Sequence, residues 1–466
     1  MKKAIVFGCG TIGTNTYLKI REIYHVIAWS DNNENLWGKQ KEGIKIINPQ
    51  SISAYTEDEE VIIFVAVAES KGIVKQLRGY SLSNIYVWKS GYFYYNSQTF
   101  QDLKNIRCIV INKLEKDKCI LFIVNSVEGA IREHKRAAIL KNAGYRVFLA
   151  HLMPYLIDTS RDYINIYEQV FTIMSLDELI EVANNDVFDL IHSSSEPEWV
   201  SDLLSKLDKP LIHECHDLGS ANKVMSPEQL AIEYISHVSA KGVVYPTDKI
   251  RQDAIKKFGI PVEKTIVIEN LISEKLVPTE KKQKLSNIDG CIHAVYEGAI
   301  TKDDKTNKRY FKDIWLILAR EGIHVHFYTN HDLKYCLYLD SLHENIHYEG
   351  NLSSNQLAIE MSQYDLGLLL FNVNKTNKIY LESASPNKMY EYINAGIPIA
   401  TYGIDIYREF IESNNLGKEI IYEESIYSQF EDIKEIKIPE GLLQTKELLL
   451  ECHTQEILDF IDKCMK

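Results

Sequence analysis

The stretch Ser385-Pro386-Asn387-Lys388-Met389-Tyr390-Glu391-Tyr392-Ile393-Asn394-Ala395-Gly396-Ile397-Pro398 reads as one short helix with both ends marked. Ser385 is a residue type that caps a first turn by accepting a backbone N–H. Pro386 suits the first helical position, where its missing donor costs nothing. Gly396 and Pro398 stop the helix about three turns later. The apolar run Leu366–Phe371 before it and Ile397–Thr401 after it read as strands, so the helix is expected to open at the carboxyl edge of a sheet. Free amides and partial positive charge there make a site for an anion such as a diphosphate. Glu391 lies further in, at a distance where a carboxylate accepts hydrogen bonds from vicinal ribose hydroxyls, a role acids fill in dinucleotide sites.

This string resembles the donor-binding helix of bacterial GT-B glycosyltransferases, roughly P-N-K-x-x-E-Y-x-x-A-G-x-P. The resemblance implies that Ser385, Pro386, Asn387 and Lys388 contact phosphate or sugar and that Glu391 binds the ribose. Many members of the family carry a second glutamate eight residues earlier. Here that position is Ser383, and Glu382 is one residue out of register. The resemblance covers about Lys118 to Lys466. It leans toward the retaining, polysaccharide- or glycoconjugate-type enzymes, in which the leaving phosphate takes the acceptor's proton.

Other segments fall into place beside that helix. Tyr296-Glu297-Gly298-Ala299-Ile300 opens the segment that carries it, and the loop behind holds Lys302, Lys305, Lys308, Arg309 and Lys312. The family puts a cation near here against the donor phosphates. Arg309 is chosen for bidentate contact, with Gly298 beside the donor and the lysines mostly solvated. Leu211–Leu218 is a strand ending in polar residues, which in open α/β sheets line the crevice. The segment resembles the strand-to-loop stretch by which these enzymes present a His-Asp or Arg-Asp pair to the cleft, which implies His216 and Asp217 as acceptor-side candidates and, with Arg309 and Lys388, as the expected catalytic set. Gly129 and His134, after the strand Cys119–Asn125, are assigned to the acceptor side. By the same resemblance, Val267–Asn270 serves only as a boundary marker, and the backbone of Glu349–Ser353 is expected to read the base.

Ahead of all this, Gly8-Cys9-Gly10-Thr11-Ile12-Gly13 follows the strand Ala4–Phe7 and precedes a helix, and Asp31 ends the next strand. That is the dinucleotide fingerprint in its proper context, with Gly8, Gly10 and Gly13 for the turn and Asp31 for a ribose. The front piece resembles small Rossmann domains attached to bacterial polysaccharide enzymes, and its expected ligand is NAD(P) or a nucleotide-sugar. Transfer itself is expected to need no cofactor and no metal.

Strands and helices alternate throughout, the pattern of parallel sheets flanked by helices. The expected fold class is α/β: a small Rossmann-like domain (1–104) followed by the two Rossmann-like domains of a GT-B fold, an acceptor domain (105–275) and a donor domain (276–466). The polar stretch Ser273–Asn287 is the expected linker.

Composition narrows the function classes. The 466 residues are 45% hydrophobic and 25% charged, with a formal net charge of −13. That balance argues against nucleic acid as a partner. Eight cysteines without a C-x-x-C pair give neither a zinc signature nor a disulfide framework. No apolar run approaches the ~18 residues of a membrane span, so the protein is expected in the cytoplasm, with peripheral contact to the inner membrane face left open. The expected partners are a nucleotide-sugar donor and a sugar, lipid-linked or protein acceptor, with homo-oligomerisation also open. A nucleotide-sugar epimerase of the same fold and a non-enzymatic nucleotide-sugar sensor are the competing readings.

Overall fold

The computed structural model describes residues 2–21, 24–56, 61–67, 70–82, 84–89, 92–95, 113–125, 127, 129–152, 165–173, 175–194, 198–222, 224–302 and 304–466. The chain forms two compact units, Met1–Ile212 and His213–Lys466.

The first unit opens with strands β1 (Lys3–Phe7), β2 (His25–Ser30), β3 (Gln40–Lys41), β4 (Ile44–Ile47), β5 (Val61–Val65), β6 (Ile85–Lys89) and β7 (Tyr92–Tyr95). They form one sheet in the order β3-β4-β2-β1-β5-β6-β7. Its centre is parallel, and the outer strands β3 and β7 are antiparallel. All five residues of β5 are buried, as a parallel strand covered on both faces requires. The same unit holds β8 (Cys119–Val124), β9 (Arg146–His151), β10 (Val170–Thr172) and β11 (Leu190–Ser194), parallel in the order β10-β9-β8-β11.

Strand β12 (Leu211–Glu214) contains the boundary between the units. In the second unit β13 (Gly242–Tyr245) pairs in parallel with β14 (Thr265–Val267). Then come β15 (Ile292–Glu297), β16 (Ile323–Tyr328), β17 (Ile346–Tyr348), β18 (Leu366–Leu369), β19 (Ile399–Thr401) and β20 (Gly417–Glu419). Their order is β17-β16-β15-β18-β19-β20, all parallel. Counted from β15 this is 3-2-1-4-5-6, the doubly wound order. The chain departs in opposite directions from β15 and β18, so a crevice opens at their carboxyl ends. The α/β class expected from the alternating pattern is the class observed.

The decisive helix, α1 (Asn387–Ala395), lies between β18 and β19. Its C-terminus ends as the sequence implies. Gly396 adopts φ 71°, and the N–H groups of Gly396 and Ile397 donate to the carbonyls of Ile393 and Tyr392. Its start is shifted by one residue from the expectation. Pro386, with φ −76° and ψ 123°, is the cap residue rather than the first helical one, and the Ser385 side chain caps no helix amide. The proline ring holds φ where either position is compatible, so sequence alone does not separate the two.

Helix α1 seats itself on β18 through one contact. Tyr392 is fully buried, and a Cβ on Gly367 would lie 2.3 Å from its ring. The Tyr392 hydroxyl donates to the Leu368 carbonyl at 3.2 Å. Gly367→Ala should therefore overpack the helix–strand contact and destabilise the protein by about 1–3 kcal/mol. The check is thermal denaturation, where an unchanged melting profile would refute the packing argument.

Candidate donor-binding site

The site begins where β15 ends. Gly298 has φ +113°, a backbone state that L side chains rarely adopt, and a Cβ there would come 3.4 Å from Lys388 Nζ. The glycine thus turns the chain and leaves room for the lysine. Lys388, in the first turn of α1, lays its ammonium over the rings of Tyr296 at 4.5 Å and Phe371 at 5.2 Å. Nζ also donates to the Tyr296 hydroxyl at 3.3 Å, and that hydroxyl donates to the Ala299 carbonyl at 2.7 Å. Burial pushes the Lys388 ammonium below its ordinary pKa. Glu297 opposes that shift, Arg309 adds to it and Glu391 opposes it more weakly. Lys388, Arg309, Glu297 and Glu391 therefore form one electrostatic cluster.

Glu297, the last residue of β15, is the member that sequence reasoning passed over. Burial raises its carboxyl pKa well above the ordinary value. The neighbouring Glu391 carboxylate and the hydrogen bond between the two raise it further, while Lys388 opposes the shift. A carboxyl group so placed holds its proton more tightly than an ordinary glutamate does. Two basic side chains then stand beside a pair of carboxyl groups, which suits a diphosphate next to a hydroxyl-bearing group. The signal was present in the sequence as an acidic residue closing the first strand directly before a glycine.

The loops after β15 and β18 are laced together across the switch point. Asn372 Nδ2 donates to the carbonyls of Lys305 at 2.8 Å and Asn307 at 3.0 Å, and Asn374 Nδ2 donates to that of Thr306 at 2.8 Å. This fixes the Arg309 backbone, whose N–H donates to Asn307 Oδ1 at 2.9 Å and whose carbonyl accepts from Thr301. The Arg309 side chain is exposed. The loop lysines are seated on tyrosine rings. Lys308 lies 3.3 Å from the Tyr380 ring centre, and Lys312 donates to the Tyr338 hydroxyl at 2.6 Å.

Helix α1 and the chain leading into it are held from the segments after β13 and β14. Asn270 Nδ2 donates to the Ser385 carbonyl, and Thr247 Oγ1 to the Ser383 carbonyl at 2.9 Å. The Tyr390 hydroxyl donates to Glu269 at 2.5 Å, and Asn394 Nδ2 to the Leu276 carbonyl at 2.9 Å. Asn270, a mere boundary marker in the sequence, is thus a strut. Asp217 accepts from the Tyr380 hydroxyl at 2.9 Å, and both it and His216 are half-buried just beyond β12. Ser385 and Pro386 are half-buried, and Asn387 is exposed at the first turn.

The remaining candidates lie in the first unit. Gly129 is exposed at a turn, and His134 is buried. His134 Nδ1 meets the Tyr167 hydroxyl at 2.8 Å and Nε2 the Val127 carbonyl at 2.7 Å, so both ring nitrogens are engaged within the protein. Burial lowers its pKa, which keeps the ring neutral. In the front sheet a Cβ on Gly13 would lie 1.8 Å from the Gly8 carbonyl oxygen, and Gly8 itself has φ +107°. These two glycines serve the close packing of helix on strand. A Cβ on Gly10 would meet no atom within 4 Å. Asp31 accepts from the Cys9 N–H at 2.8 Å and the Asn33 N–H at 2.9 Å, tying the glycine loop to the end of β2.

Three family models match parts of this chain: C2185-like, N-terminal, over residues 1–85; Glycosyltransferase Family 4 over 150–275; and Glucosyltransferase 3-like, C-terminal domain, over 319–448. Among curated proteins no sequence matches. The crystal structure of Anabaena HepE in complex with UDP-glucose is similar over 74% of this chain and 99% of its own, at 14% identity and a TM-score of 0.54. The fold is GT-B. A glycosyltransferase from Rickettsia africae is similar over 75% of this chain and 99% of its own, at 14% identity and a TM-score of 0.50. The GT-B architecture and the matched segments together support a nucleotide-sugar glycosyltransferase.

The Glu297 proton carries a pH signature. Its folded pKa lies above the ordinary value of 4.5, so above that value the folded state holds more protons than the unfolded chain. The stabilisation is complete below the ordinary value and is lost as pH rises through the folded pKa. Glu297→Gln keeps a donor to Glu391 but cannot titrate. The wild-type melting temperature, measured relative to this variant, should fall as pH rises from about 5. Parallel melting-versus-pH curves for the two proteins would show that no such proton is held.

Proposed function

We propose that the protein moves a sugar from a nucleotide-sugar to an acceptor hydroxyl in the assembly of a bacterial surface polysaccharide or glycoconjugate. One observation carries the reading. Gly298, Arg309, Lys388, Glu297 and Glu391 converge at the switch point of a doubly wound sheet, where α1 begins. In this reading Lys388, Arg309 and the first amides of α1 hold the diphosphate, and Glu391 takes the ribose hydroxyls.

As the bond from the sugar's anomeric carbon to the diphosphate breaks, negative charge grows on the leaving oxygen. Fixed cations and helix amides stabilise that charge without reorganising. The acceptor oxygen bonds to the anomeric carbon and its proton passes to the departing phosphate, with retention of configuration. His216 and Asp217 then orient the acceptor, and neither has to act as a base. Residues 105–275 serve the acceptor and 276–466 the donor. Residues 1–104 hold NAD(P) or a nucleotide-sugar, a reading supported by the open space at Gly10. No described helix is long and apolar enough to cross a membrane, and we place the work at the cytoplasmic face.

The test is a donor panel that begins with UDP-sugars, since HepE was solved with UDP-glucose. One donor should bind and slowly release free nucleotide, whereas binding without turnover would support a sensor instead. With that donor, Glu391→Ala should weaken binding by about 1.5–3 kcal/mol, the range for hydrogen bonds to a charged group. Lys388→Met or Arg309→Met should impair binding of the nucleoside diphosphate and leave the nucleoside nearly unaffected. Equal losses for both ligands, measured by calorimetry, would overturn the phosphate assignment.

A further inference from the structure

The second unit carries a side-chain cluster that the donor site does not use. His293 on β15, His324 and His326 on β16, and His347 on β17 share one face of the sheet. The register pairs His293 with His324 and His326 with His347. Side chains two apart on a strand face the same way, and neighbouring strands lie about 4.8 Å apart. The four imidazoles therefore stack into a block, with ring centres 4.7 Å apart for His293–His324 and 4.5 Å for His326–His347. His293 and His326 are 4% and 6% exposed, and His324 is half-buried.

The hydrogen bonds around two of these rings conflict with neutral imidazole chemistry. His293 Nε2 faces the Asp289 carboxylate at 3.0 and 3.2 Å, and His326 Nδ1 faces Glu349 at 2.7 Å. A carboxylate only accepts, so each ring must turn its single N–H outward. His293 Nδ1 and His326 Nε2 are then two lone pairs facing each other at 2.9 Å. That arrangement is repulsive unless a cation sits between the two nitrogens, either a proton that makes one ring an imidazolium or a metal ion. His324 brings a third ring nitrogen, all three lying within 4.8 Å of one another, and its Nδ1 meets His347 Nε2 at 3.0 Å.

We propose that His293, His324 and His326 form a binding site for a zinc-like transition-metal dication, with Asp289 and Glu349 as the outer carboxylates that fix the tautomers of His293 and His326. Tetrahedral zinc holds imidazole nitrogens at about 2.0–2.1 Å, which places them roughly 3.4 Å apart. The pair at 2.9 Å needs to open by a few tenths of an ångström, and the third ring needs to close in. Ligating histidines that donate their other N–H to carboxylates are the usual supporting arrangement. The three ligands leave a fourth position for water.

His293 sits four residues before Glu297 on the same strand, about 13 Å along it. The metal therefore lies toward the opposite end of the sheet from the donor site. Its role is to join β15 and β16 and, through Asp289, the segment leading into β15. The proposal is independent of the transferase reading.

The full-length protein, stripped with a chelator, is titrated with Co2+ and with Zn2+ and followed by calorimetry and visible absorption. One Co2+ per chain with the intense absorption of a tetrahedral ion, displaced by Zn2+, is the expected result, together with a Zn2+-dependent rise in melting temperature. His324→Gln and His326→Gln should each weaken binding at least tenfold, while His25→Gln, at an exposed position, should bind as the wild type does. Absence of stoichiometric binding would overturn the proposal, as would the weak spectrum of an octahedral ion or equal affinity in all variants. Should the glutamine variants fail to fold, the wild-type cobalt spectrum decides alone.

Discussion

The candidate site depends on a tyrosine lying flat against bare backbone. Tyr392 occupies the space where a Gly367 side chain would be, and that contact sets the depth at which α1 rests on β18. Every polar group of interest on the helix takes its position from this seat. Lys388 and Glu391 precede it by four and one residues, and the Tyr392 hydroxyl also accepts from the Glu297 N–H at 3.4 Å. A larger residue at position 367 would lift the helix away from β15 and separate Glu391 from Glu297.

With the helix seated, electrostatics follow from burial. Lys388 is half-buried, with its ammonium laid against the Tyr296 and Phe371 rings. Cation–ring contacts of this kind gain strength as water is excluded. Burial and the neighbouring Glu391 carboxylate raise the Glu297 pKa above the ordinary carboxyl value. The struts from Thr247, Glu269 and Asn270 hold the carbonyls and the hydroxyl around the start of α1. They explain why the strand ends before the linker are polar rather than merely solvent-facing.

The same strand serves two kinds of chemistry because alternation places His293, Val295 and Glu297 on one face. Its carboxyl end meets the α1 cluster and its amino end meets the histidine block. The residues between them, buried and apolar on both faces of β15, keep the two polar clusters apart.

The sequence by itself determined the local and repetitive features. Alternating apolar runs gave the strands of the parallel sheets, and Gly396 with Pro398 gave the end of α1, because backbone preferences act within a few residues. The roles expected of Lys388, Glu391 and Arg309 came instead from the resemblance of that string and its neighbouring loop to a family pattern. Short strands such as β20 were not legible. Its residues Gly417-Lys418-Glu419 carry no side-chain pattern, and only the close approach of the Ile399 backbone, 1.9 Å from a notional Cβ on Gly417, reveals why the glycine is there. Pro386 as cap rather than first helical residue was likewise undecidable, since both positions accept its φ. Tertiary structure alone decided the raised Glu297 pKa, the strut role of Asn270 and the engagement of both His134 nitrogens. It alone also brought together three histidines from positions 293, 324 and 326. Each of these depends on distances between residues that are remote in the chain, and strand register, rather than any spacing along the sequence, sets those distances.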